Sequence, residues 1–329
     1  MLIGSRTTRS IRALAAITLL GASNAAFAQA SYPGKPLRLI CAYTPGGSLD
    51  LTGRPLAQGL TEVLGQQVIY ENKPGANGNV GAAMVAKATP DGYTLLIAST
   101  SQLTINPSLY PDMPYDVSKE LAPIALISMT PTVLVLHPSV QANTFKEVLA
   151  YARAKPGALR YSSAGNGSIN HLATELLKMN EKIDILHVPY KGSGPALNAV
   201  VAGEVNFMIT SVPLAMAFLK AGRIKPISLS AHKRFRLLPD VPTLAEAGGQ
   251  GFEASAGIGL LAPAGTPRPV ITKLYESAVK VVNSPDVGQK LLAQGVDLIG
   301  GTPEEFATLI REESARWDRV VRAGNIKPD

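Results

Sequence analysis

The sequence predicts an α/β fold of two lobes, each a mixed, mostly parallel sheet flanked by helices, with two crossing strands as the hinge. Three observations predict it. Apolar strand-like runs alternate with helical patterns through short loops, the order that builds a parallel sheet covered on both faces. The pattern occurs twice, on either side of the long apolar run Ile124–Leu136, which is long enough to pass from one unit to the other. A second, glycine-bearing apolar run, Ala254–Ala262, is placed to bring the chain back. Residues 29–130 with 252–329 are expected to form lobe one, and 131–251 lobe two.

The chain opens on Arg6, Arg9 and Arg12 around the apolar run Ile11–Ala22, followed by the small-x-small pattern Ala26-Phe27-Ala28. Basic, apolar, small is the order of a secretory signal, so cleavage is expected near Ala28 and residence in the periplasm after it. The apolar core is shorter than the roughly 20 residues that span a bilayer. Leu37–Tyr43 then reads as a buried strand closed by Pro45-Gly46-Gly47. Leu56, Leu60, Val63 and Leu64 recur at helical spacing, with Pro55 expected in that helix's first turn. Val68–Glu71 is a second strand, Val80–Ala88 a small-residue helix, and Pro90-Asp91-Gly92 a turn into the strand Tyr93–Ala98.

The second unit repeats the order. Phe145–Ala154 reads as helix, Arg160–Ser162 as strand, Ile169–Asn180 as helix and Leu186–Val188 as strand. A helix runs from Ser193-Gly194-Pro195 through Val201, and Phe207–Ile209 and Ile227–Ser230 are further strands. Near the C-terminus Thr302, Pro303 and Glu305 spell a capping box, and Phe306, Leu309, Ile310, Trp317, Val320 and Val321 form one apolar face.

Composition narrows the function. Loss of the three leader arginines lowers the net charge from +7 to about +4, and no basic stripe suits nucleic acid. The one basic run, His232–Arg236, reads as a solvated loop. Cys41 is the single cysteine, so no internal disulfide forms, and it reads as a buried small hydrophobe. The four histidines, at 137, 171, 187 and 232, make no metal spacing, and His171 with Glu175 reads as a helix-surface pair rather than a zinc site. No cofactor, metal or catalytic residue is signalled. The Gly165-Asn166-Gly167-Ser168 stretch lacks the closing glycine of a nucleophile elbow.

What the strand ends do carry is hydrogen-bond donors. Thr44, Gly46, Gly47 and Ser48 follow the first strand, and Ser99, Thr100, Ser101 and Gln102 the third. Ser163, Gly165, Asn166, Gly167 and Ser168, then Lys191, Gly192 and Ser193, follow strands of lobe two. Pockets of such sheets open at the carboxyl ends of strands, and helix N-termini there favour an anion. Any one loop can be a plain turn or cap. Recurrence at successive strand ends favours a cleft that holds a carboxylate without arginine.

These residues resemble the Bug, or TctC-like, receptors of tripartite tricarboxylate transporters. The resemblance runs through Tyr32–Ile40, Pro45–Asp50, Glu71–Ala76, Pro90–Leu96, Asn106–Tyr110 and Ser162–Ser168 with His171-Leu172. It continues through Pro189–Gly192, Leu238–Gly248 and Leu261–Pro267. It implies a two-lobed periplasmic binding protein of type II-like architecture that closes on a small organic carboxylate. It further implies delivery to the membrane components of the transporter and no enzymatic activity, and a monomer is the default expectation for a receptor that must close around its ligand. The ligand contacts it implies are Thr44, Gly46, Gly47, Asp50, Ser99 and Ser101 on lobe one, and Ser163, Gly167, Ser168, His171, Tyr190 and Gly192 on lobe two. Asp50 would organise its loop rather than touch an anion. Asn206 and Thr210-Ser211 stand where the family often has acids, which favours a plain carboxylate over an amino acid. Cys41-Ala42-Tyr43 replaces the family's common Val-Pro-Phe, so Tyr43 or Thr44 alters the pocket floor. Two alternatives use the same cleft: a partner of a membrane sensor kinase, and an exported hydrolase with Ser168 or Ser163 as nucleophile and His171 as base.

Overall fold

The computed structural model describes residues 32–250 and 254–327. The export signal expected over residues 1–28 lies outside the described residues. The first strand, β1 (Leu37–Cys41), is followed by α1 (Ser48–Leu64), β2 (Val68–Asn72), α2 (Asn79–Ala86) and β3 (Thr94–Ser99). Three short helices, α3 (Thr100–Thr104), α4 (Asn106–Leu109) and α5 (Val117–Glu120), lead to the long crossing strand β4 (Leu121–Leu136). The chain then forms α6 (Phe145–Ala154), β5 (Arg160–Ser163), α7 (Ile169–Glu181), β6 (Leu186–Pro189) and α8 (Ser193–Ala202). It continues with β7 (Phe207–Ser211), α9 (Val212–Lys220) and β8 (Lys225–Ser230). The returning strand β9 (Ser255–Pro263) precedes α10 (Arg268–Val282), α11 (Val287–Ala293), β10 (Leu298–Gly301) and α12 (Pro303–Ala323).

One curled sheet runs through both lobes in the order β2-β1-β3-β9-β4-β7-β5-β6, with β8 and β10 also paired to β4. β1, β2 and β3 pair in parallel, as do β5, β6 and β7. Every pairing that involves β4 or β9 is antiparallel. β4 pairs with β9 as far as Pro131 and with β7 and β8 from Thr132 onward. The two crossing strands thus run side by side where the sheet changes partners, as the apolar runs predict.

Strand alternation buries both faces of β4. Leu134 and Leu136 join Phe145, Tyr161, Phe207 and Ile209 on one side, while Val133 and Val135 join Met208, Val200 and Val212 on the other. Successive side chains of a strand point to opposite faces, so a continuous apolar run is what a strand covered on both sides requires. A smaller cluster joins Ile105 and Leu109, Leu172 of α7, and Trp317 and Val321 of α12. The C-terminal helix begins with the expected capping box at Thr302 and Glu305. Pro55 departs from expectation: α1 starts at Ser48, so Pro55 lies inside the helix, because the strand-end loop closes at Gly47 and helix formation begins at once. Cys41 is buried. No described helix is long and apolar enough to cross a membrane.

Candidate functional site

Four helices of nine residues or more begin at one cavity. Gly47 precedes α1, Ser168 precedes α7, Gly192 precedes α8 and Ser211 precedes α9, and all four residues lie on its wall. Ser99, which caps α3 by accepting the Gln102 amide at 3.2 Å, lies on the same wall with Ser101, its hydroxyl partner at 3.0 Å. The floor is the hinge strand itself, at Ala256, Gly257 and Ile258. Tyr43, Thr44, Ser48, Leu49, Ala164, Ile169, Asn170 and Ser193 complete the lining, around a cavity of about 60 Å³ in which the centre of a water molecule can move. No lining residue carries an ionisable carboxylate, amine, guanidinium or imidazole.

The lobes meet across this cavity. Thr44 Oγ1 donates to the Lys191 carbonyl at 2.8 Å. The Ser48 amide donates to Ser193 Oγ at 3.3 Å, and the Ser48 and Ser211 hydroxyls are 2.9 Å apart. Glycine is required where the loops pass: a Cβ on Gly192, whose φ is +122°, would overlap the Thr44 side chain, and one on Gly167 would overlap Leu109.

Asp50 braces the first loop from behind. Its carboxylate accepts the Gly46 amide at 2.9 Å, Asn72 Nδ2 at 2.9 Å and Arg54 Nε at 3.0 Å. Burial alone would raise its pKa, but the bonds from Asn72, Gly46 and Arg54 outweigh burial and hold it below the ordinary carboxylate value. Asp50→Asn turns one acceptor oxygen into a donor facing donors. It is expected to cost about 2 kcal/mol in chemical denaturation and to weaken ligand binding through a loosened loop; unchanged stability would contradict the brace.

Of the twelve contacts expected from the sequence, the structure brings Thr44, Gly47, Ser99, Ser101, Ser168 and Gly192 to the wall. Gly46 and Asp50 stand behind the first loop. Ser163 and His171 lie under the second, where Ser163 Oγ is 2.6 Å from His187 Nε2 and His171 Nδ1 accepts the Gly167 amide at 3.1 Å. Tyr190 is turned toward Glu204, with its hydroxyl 3.5 Å from Oε2. His171 is not the surface partner of Glu175: it is 6% exposed and stacked on His187, while Glu175 accepts from Tyr161 and Lys178. Ser193, read from the sequence as a strand-end donor, and Ser211, singled out only as a place where the family often has an acid, also line the wall although neither is among the twelve expected contacts. Ser211 ends a strand and precedes a helix with Pro213 in its first turn, the same signal used for the other loops. The floor at Ala256–Ile258 had no such signal, because only the crossing of β9 puts it there. Among the described residues, no three His, Cys, Asp or Glu side chains gather as a metal site.

Burial, with Lys178 nearby, pushes the His171 pKa down to about 4. Burial, then His171 beside it, pushes His187 down to about 3 against an opposing effect of Glu175, with Lys178 adding a still smaller lowering effect. Both are neutral in the fold, whereas an unfolded histidine titrates near 6.5. Stability is therefore complete above about pH 6.5 and falls as the pH drops toward 4, because the unfolded chain takes up protons the fold excludes. His171 alone contributes a loss on the order of 3 kcal/mol. Thermal melts from pH 7 to 4 are expected to decline through this window, and a flat profile would contradict the buried neutral pair.

The sequence matches the profile of the tripartite tricarboxylate transporter family receptor over residues 52–326. A protein encoded in the tcbD–tcbE intergenic region of Pseudomonas sp. strain P51 is 37% identical over 313 residues, covering 94% of this chain and 93% of the relative. The structure of Rpa4515 from R. palustris with adipate superposes with a TM-score of 0.87 at 33% identity, covering 91% of this chain and all of that one. MatC from Rhodopseudomonas palustris with bound malate gives 0.84 at 32% identity, covering 88% of this chain and all of that one.

Proposed function

The chain belongs to the tripartite tricarboxylate transporter receptor family, and on that footing we propose that it is a periplasmic receptor, exported by the leader over residues 1–28. It captures a small organic carboxylate between its lobes, 29–130 with 252–329 and 131–251, and delivers it to the membrane components of a tripartite transporter. The observation that carries this reading is the convergence of four helix N-termini on a cavity whose lining has no charged side chain.

Each N-terminus presents roughly half a positive charge, so the four together offer about +2, the complement of a dicarboxylate. The adipate and malate carried by the two structural relatives are of that class. Amides and hydroxyls held at fixed positions solvate the carboxylates without the desolvation cost of a buried arginine. The wall contacts are Thr44, Gly47, Ser99, Ser101, Ser168 and Gly192, with Ser48, Ser193 and Ser211 beside them. No acid on the wall is available to an ammonium group, which favours a plain acid over an amino acid.

Binding proceeds without turnover. Ser168 Oγ donates to the Gly165 carbonyl at 2.7 Å, and His171 Nδ1 is occupied by the Gly167 amide, so the pair a hydrolase would need is committed to loop structure. Trp317, the only tryptophan, shares a cluster with Leu109 and Leu172, so its emission is expected to report closure. A thermal-shift screen of mono-, di- and tricarboxylates tests the reading. A ligand at about 100 times its Kd adds roughly 2.7 kcal/mol, a rise of several degrees. A rise confined to amino acids or sugars would contradict it.

A further inference from the structure

A stack of three rings, with Tyr161 and His171 buried and His187 partly buried, lies under the lobe-two side of the cavity. The Tyr161 and His187 centroids are 4.7 Å apart at 18°, and those of His187 and His171 4.2 Å apart at 7°. Tyr161 is fully buried and His171 nearly so. None of the three lines the cavity.

The stack is tied to the loop 163–168 near both its ends. At one end Ser163 Oγ is 2.6 Å from His187 Nε2. At the other the Gly167 amide donates to His171 Nδ1 at 3.1 Å. An amide N–H can only donate, so Nδ1 is bare and the proton of neutral His171 sits on Nε2. A protonated His171 would put two N–H groups face to face. Gly167, at φ +78°, is the residue before Ser168, which stands on the wall and caps α7.

The charged and titratable groups around the stack are Glu175 and Lys178 of α7. Tyr161 donates to Glu175 Oε1 at 2.6 Å, and Lys178 Nζ donates to the same oxygen at 2.8 Å. That pairing sets one charge against the other and leaves neither imidazole hydrogen-bonded to a carboxylate.

We infer that His187 and His171 are positioning residues for ligand capture: two stacked rings that clamp the loop Ser163–Ser168 near its ends and aim Ser168 and the first amides of α7 into the cavity. The inference rests on the cavity being the carboxylate site, and its test separates the two.

Amide hydrogen exchange at Gly167, followed by NMR in the unliganded protein, reads the clamp directly. His171→Leu is expected to speed that exchange about tenfold while amides of α10 keep their rates. His171→Asn restores it, since the asparagine oxygen can stand where Nδ1 stood. His187→Phe keeps the stack but removes the ring nitrogen that meets Ser163, leaving its hydroxyl only Gly165, and it too speeds Gly167; His187→Gln recovers the rate. Nitrogen shifts of the wild-type imidazoles are expected to show His171 protonated on Nε2. Unchanged exchange in His171→Leu, no recovery in His171→Asn, or an Nδ1–H tautomer at His171 would overturn the inference. Malate and adipate affinities are then expected to fall in His171→Leu and His187→Phe and return in the conservative variants. Equal affinities in all four, beside altered exchange, would remove the link to ligand capture. Failure of wild type to bind either acid counts against the carboxylate site, and the exchange rates still decide the clamp.

Discussion

Gly194→Ala is expected to leave the unliganded protein at least as stable as wild type while weakening ligand binding by about fivefold or more. Gly194 lies in the first turn of α8 with ordinary helical backbone, so alanine there costs nothing locally and gains up to about 1 kcal/mol of helix propensity. Across the cleft, however, its Cβ would stand 2.8 Å from the Gly46 carbonyl oxygen and 3.6 Å from the Gly47 amide. Both are main-chain atoms of the loop that begins α1, braced by Asp50, and cannot swing aside as a side-chain tip can. The lobes must therefore stop short, and overpacking of this kind costs about 1–3 kcal/mol, which corresponds to roughly 5- to 150-fold in affinity. Calorimetric titration beside unliganded melts checks it. Unchanged affinity would mean that this contact is not part of the bound state, and an equal loss of unliganded stability would place the effect in the fold.

Gly259→Val is expected to cost about 3 kcal/mol or more of stability. Gly259 lies in the hinge strand between Ala98 and Leu126, and a Cβ there would overlap the ring of Phe306. Phe306 is fully buried and sits one residue after the capping-box glutamate of α12. The cap fixes where that helix starts, so the ring cannot shift by a turn to make room. A melting temperature lowered by less than a few degrees would mean that α12 can slide, and that the hinge strand is less firmly seated than the packing indicates.

Much of the fold was legible because its signals are local. The apolar runs of β4 and β9, the donors at strand ends and the box at Thr302 each act through neighbouring residues, and each appears where the pattern puts it. The site was half legible for the same reason. Thr44, Gly47, Ser99, Ser101, Ser168 and Gly192 sit at strand ends, where topology alone aims them at the cavity. Tyr190 follows a strand end too, yet its ring turns to Glu204, a choice made by a residue fourteen positions away. His171 carries helical spacing that is compatible with either a surface or a buried place. Only the approach of β6, bringing His187 onto its ring, settles which. The floor at Gly257 depends on a crossing of strands more than a hundred residues apart in the chain, with Met129 its partner.

Calorimetric titration of protein stripped of any co-purified ligand by unfolding and refolding, with malate and adipate and with the diamide of each, tests most directly whether the cavity is built for carboxylates. Saturable binding of at least one diacid, and none of its diamide, is the expected result, since four helix N-termini attract charge and not merely shape. Equal binding of acid and amide, or binding of neither acid by refolded protein, would contradict it.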